Sequence, residues 1–174
     1  LPATPHAVVI LSRTLNETGR RGDAIDALRA AAKASDEKAV YVQAELALLL
    51  LEIGEYDDAL HSAEQAAVDG KLLPAAEWVS AELHRVHGRL KQAESGYGRL
   101  LERLRGNEPE LDVETLLWVA RAAIQQARWG APSGRYETVV RRLLPRIHRQ
   151  EKTFWPARLF AAQLYAEKFN PAQA

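Results

Sequence analysis

Three times in this chain a glycine is followed five residues later by an alanine: Gly19 and Ala24, Gly54 and Ala59, Gly88 and Ala93, at spacings of 35 and then 34 residues. Each glycine closes a stretch of helical apolar periodicity and precedes a second one, as in "VQAELALLLLEIG" followed by "DDALHSAEQAA". Glycine suits a helix C-terminus because it enters the left-handed conformation without a steric penalty. Asp57 and Asp58 then favour the positive end of the next helix. The alanine beyond the turn is small enough to let two helices cross closely. Such units are helical hairpins, and a hairpin that cannot bury its own apolar face must stack on a neighbour.

A helix–turn–helix of 34 residues, with Ala47, Gly54, Tyr56, Ala59 and Ala66 in its small, turn and packing positions, resembles the tetratricopeptide repeat. The third hairpin matches through Ala81, Gly88, Ala93 and Tyr97, and the first through Gly19, Ala24 and Ala31 with Ser12 in the small slot. After an added loop at 105–112, whose Gly, Asn and Pro break the helical pattern, a fourth hairpin echoes the family through Trp118, Ala122, Gly134 and Tyr136. Its turn, "WGAPSG", is too long by about five residues. A last helix, "PARLFAAQLYAEKF", reads as the start of a fifth repeat. The repeats fall at 5–39, 40–73, 74–107, 113–152 and 155–174, the last partial. Pro145 lies in the fourth and should start, kink or end a helix there.

The resemblance implies an all-α fold, a single right-handed solenoid of stacked antiparallel helix pairs over 1–174, with a concave face lined by the first helix of each pair. Carried over position by position, that lining is Val9, Arg13 and Asn16, then Tyr41, Ala44, Leu48 and Leu51, then Trp78, Glu82 and Arg85. Val119, Ala123 and Gln126 extend it, with Leu159 and Gln163 from the last helix. Family members that grip acidic C-termini do so with a clamp of basic and amide side chains along this face. Ala44 and Leu48 stand where such groups belong, which predicts an apolar peptide or amphipathic helix as the ligand instead.

The sequence contains no cysteine, which excludes disulfides, thiol nucleophiles and cysteine-bound zinc. No HExxH, GxxxxGK[ST] or GxGxxG motif occurs, and the "GYG" at 96–98 sits in a helical pattern. His84 and His87 are three apart on one helix beside Glu82, but a catalytic zinc needs a third protein ligand and an outer shell, so a half-buried packing role is the plainer reading of His84. Trp78, Trp118, Trp129 and Trp155 read as core or groove packing. No metal, cofactor or catalytic residue is assigned.

Formal charge is zero, which argues against nucleic acid and anionic membranes as partners. Its distribution is uneven. Residues 41–70 carry seven acids and no Lys or Arg, while 135–152 have a net charge of +4 and a reserve in His148. These read as solvated helix faces, with a polarised partner surface or head-to-tail self-contact as sharper alternatives. RNA binding by the basic helix lacks interleaved aromatics.

The longest apolar run, "LALLLL" at 46–51, is far short of the roughly 20 residues that span a bilayer. A start at Leu1 and the absence of methionine suggest a fragment of a longer protein, cytoplasmic or exported after loss of a signal peptide. Arginine outnumbers lysine 17 to 6, which suggests a GC-rich, bacterial genome. The function expected is a noncatalytic scaffold for a protein or peptide partner, with self-association or contact with the parent chain as variants of it. The alternative is a substrate-presenting or regulatory repeat region of a larger bacterial enzyme such as a peptidase.

Overall fold

The structure, a computed structural model, describes residues 4–34, 39–105, 111–129 and 134–168. These residues are helical apart from turns and one small β-hairpin, so the all-α class is as expected. The order is α1 (Pro5–Glu17), α2 (Arg21–Ala34), α3 (Ala39–Ile53), α4 (Tyr56–Gln65), β1 (Ala67–Val68), β2 (Lys71–Leu72), α5 (Pro74–Val86) and α6 (Leu90–Glu102). Then come α7 (Val113–Arg128), α8 (Gly134–Thr138), a π-helical turn (Val139–Leu143), α9 (Leu144–Gln150) and α10 (Trp155–Lys168). Most of the expected loop at 105–112 and of the turn at 129–134 lies outside the described residues. The chain divides into two compact units, Leu1–Gly96 and Tyr97–Ala174, with the division inside α6 and a separate core in each.

In the first unit the glycine-to-alanine spacing has a backbone cause. Gly19, Gly54 and Gly88 have φ of 81°, 82° and 71°. At each, the glycine N–H donates three residues back and the next residue's N–H donates five back, as in Gly54 N to Leu51 O at 3.2 Å and Glu55 N to Leu50 O at 3.0 Å. This Schellman closure satisfies carbonyls that the helix end would otherwise orphan. The residue after the glycine opens the next helix, and its carbonyl accepts from the alanine N–H: Arg20 from Ala24, Glu55 from Ala59, Arg89 from Ala93. Each alanine thus sits one turn inside its helix, and all three are fully buried. Helix α1 packs on α2 and α3, α2 on α3, α3 on α4 and α5, and α4 on α5. Leu28, Val42, Leu50 and Val79 are among the side chains this stacking buries completely.

One element corrects the repeat reading. The helical pattern "DDALHSAEQAA" ends early, at Gln65, and gives way to a two-stranded antiparallel hairpin with Ala67 opposite Leu72 and Val68 opposite Lys71. Asp69 and Gly70 form its loop with φ of 51° and 74°. Asp-Gly is among the dipeptides that most readily adopt two successive positive φ values, as a two-residue hairpin loop requires. Ala66, expected as a helix packing position, caps α4 instead, and its carbonyl accepts from Leu73 N at 2.9 Å.

The second unit is built on α7, which Asp112 caps by accepting from Thr115 N at 2.7 Å. Leu116, Val119, Ala120 and Ile124 bury one side of α7 against the helical segment 134–150 and the rest of this core. Pro145 neither starts nor ends that segment: backbone angles stay helical at Thr138, Leu143 and Leu144. Proline has no N–H and its ring collides with the carbonyl four residues back. Here the π turn absorbs both faults just upstream. It also keeps Val139, Leu143 and Ile147, at a spacing of four, buried together.

Tyr136 fastens α8 to α10 by donating its hydroxyl to Leu164 O at 3.0 Å. Burial raises this phenol above its ordinary value of 10.0, helped by Glu167 and Tyr165 and opposed by Arg128. With the folded pKa above the unfolded one, the unfolded chain releases this proton first. The contribution of Tyr136 to stability is therefore complete below about pH 10 and lost as pH rises through the folded value. Tyr136→Phe should flatten the alkaline fall in stability and remove one late-ionising phenol from an ultraviolet titration. Loss instead of a phenol that ionises at the ordinary value would show that Tyr136 is not shifted.

Candidate functional site

The face expected to bind a ligand is only partly a surface. Val9, Ala44, Glu82, Val119, Ala123 and Gln126 are buried, which corrects their placement as groove lining. In the first unit the reason is the serial packing of α1, α3 and α5, which closes over any side chain aimed at a neighbouring first helix. In the second, Val119 and Ala123 belong to the core beside Leu116 and Ile124. Gln126 is equally enclosed; its amide nitrogen lies 4.0 Å from where a Cβ on Gly98 would stand. In α10, Leu159 is 49% exposed, and Gln163 is exposed too.

The remaining positions of the first unit do reach solvent. Tyr41 is 63% exposed, while Leu48, Leu51 and Trp78 are half-buried with their inner edges against the core. Two ion pairs accompany this apolar surface. Arg13 donates to the Glu45 carboxylate through Nε at 3.1 Å and Nη2 at 2.9 Å, joining α1 to α3. On α5, Arg85 donates to Glu82 through Nε at 2.8 Å. Both carboxylates are sunk, with side chains 10% and 9% exposed, and both guanidinium groups stand at the surface. Asn16 accepts from Arg21 Nε at 2.8 Å. Arg13 and Arg85 thus have their counter-charges beside them, so the surface is neutral as well as apolar.

The acidic run at 41–70 is similarly compensated. Arg21 meets Glu52 at 3.4 Å, and Arg29 meets Glu55 at 2.8 Å and Asp58 at 3.0 Å. With Glu45, four of the seven acids are paired to arginines of the first hairpin. His87 caps the end of α5, hydrogen-bonds through Nδ1 to Leu83 O at 2.7 Å and meets the Tyr56 ring edge-on at 5.8 Å. His84 is half-buried. Among the described residues, no group of three His, Cys, Asp or Glu side chains could hold a metal ion, and no helix is long and apolar enough to cross a membrane. The tryptophans divide: Trp118 lies under the Arg121 guanidinium at 4.8 Å, Trp129 meets Tyr97 edge-on at 5.5 Å, and Trp155 is half exposed.

Sequence reasoning missed an open cleft of about 360 Å³ between α2, α3 and α4. Leu46 and Leu50 floor it, Arg29 and Lys33 stand on the α2 side, and a chain of hydrogen bonds crosses from His61 to Gln65 at 2.7 Å and on to Gln43 at 2.6 Å. The spacing of His61 and Gln65, one helical turn, was the only trace of it in the sequence. No protein-family model, curated protein or solved structure matches this chain.

Proposed function

We propose that this chain is a noncatalytic interaction module of tetratricopeptide-like helical hairpins, whose first unit receives an apolar peptide segment or amphipathic helix on the surface around Leu48. The observation that carries the reading is the combination of an exposed Tyr41 with half-buried Leu48, Leu51 and Trp78 on a face where Arg13 and Arg85 are already matched by Glu45 and Glu82. Partly exposed apolar side chains cost little to desolvate further, and a neutral surface offers a charged ligand no net attraction. The repeat architecture supports it as well, because each added hairpin extends the same face.

The test is affinity capture from a native lysate with the chain and its Leu48→Glu variant. Leu48 is not fully buried, so the variant should retain the helical circular dichroism of the parent. Loss of a specific partner from a folded Leu48→Glu chain is the expected result. A partner retained at full recovery would place binding elsewhere.

A further inference from the structure

Most arginines of the first unit that reach the surface are matched by carboxylates, but of those on the segment 134–150 only Arg141 is, among the described residues. Arg141 pairs with Glu137 at 3.3 Å. Arg142, Arg146 and Arg149 have no ion-pair partner among the described residues. Their spacing of four and three puts them on one side of a helix. Val139, Leu143 and Ile147 turn into the core, so this arginine face flanks it, with Arg142 and Arg149 exposed and Arg146 half-buried. His148, exposed, and Lys152, just beyond the helix, add to it. Cations in a last helical turn complement the helix dipole, which accounts for Arg149. Arg142 lies two turns from the end, beyond the reach of that effect.

We infer that this face is a second contact surface, built from other residues than the apolar one, and that it takes an acidic segment of a partner protein. Guanidinium groups at successive turns match carboxylates on an extended or helical chain and bind them in fork geometry. Charge complementarity is the argument, and its local character selects the partner class. Nucleic-acid binding rests on many phosphate contacts made by basic side chains, and the chain as a whole has no net positive charge to supply them. No Phe, Tyr or Trp stands between Arg142 and Arg149 to stack a base. A short acidic peptide feels only the few charges it touches, within about 8 Å at physiological salt.

The probe is fluorescein-labelled octaglutamate, followed by anisotropy against the whole chain at physiological and higher salt. Binding that weakens with salt is expected, with about tenfold loss in the double variant Arg142→Glu, Arg149→Glu. Two comparison variants keep the result specific: Arg89→Glu with Lys91→Glu, which reverses exposed cations of the first unit, and Leu48→Glu. Both should bind the peptide within about twofold of the parent. No binding at physiological salt, equal weakening in the two charge-reversal variants, or tighter binding of oligouridylate or phosphatidylserine vesicles than of the peptide would overturn the inference. Because Leu48→Glu reads the apolar surface and not this one, the two proposals fail independently.

Discussion

Leu50→Ala should lower the stability of the first unit by about 2–5 kcal/mol, seen as a lower urea midpoint with an unchanged slope. Leu50 is 1% exposed in α3, the helix that touches α1, α2, α4 and α5. Truncation removes its buried methyl groups and leaves a hole that four surrounding helices can only partly close. The backbone of this residue matters too, since Leu50 O accepts from Glu55 N and so fixes the turn into α4. That hydrogen bond survives in the alanine variant, so the loss measured is one of packing. A change below about 1 kcal/mol would mean that α3 is not the centre of this core.

Ala59→Leu should destabilise by about 1–3 kcal/mol through the opposite fault. Ala59 is fully buried one turn into α4, which packs on α3 beyond the Gly54 turn. A leucine there must adopt an unfavourable rotamer or push the two helices apart. Pushing them apart also strains the turn, because Gly54 and Glu55 are hydrogen-bonded to the end of α3. Ala59→Ser, close to alanine in volume, should cost distinctly less. Equal stability of Ala59→Leu and the parent, by urea denaturation, would show that the small residue is not a crossing point.

The apolar surface was legible in part. Tyr41, Leu48, Leu51 and Trp78 reach solvent, but Val9, Ala44 and Val119 do not. Helical periodicity says which residues share a side of a helix. It does not say how much of that side a neighbouring helix will cover, because coverage depends on the approach of elements far apart in sequence. The ion pair between Arg13 and Glu45 is of the same kind: 32 residues separate its members, and neither position marks the other.

The all-α class, the first three hairpins and their turns could all be read from residue order. These depend on interactions within a few residues: Gly19, Gly54 and Gly88 at positive φ, and the alanine one turn into each helix beyond them. The Asp69–Gly70 hairpin was equally local and could have been read from the same kind of signal. Packing in three dimensions settled the division into two compact units, the π turn that carries a helix through Pro145, and the matching of acids at 41–70 with arginines of the first hairpin. Local conformation is set by sterics and hydrogen bonds between near neighbours along the chain. Burial and charge pairing are set by which surfaces meet, and that is fixed only when the helices pack.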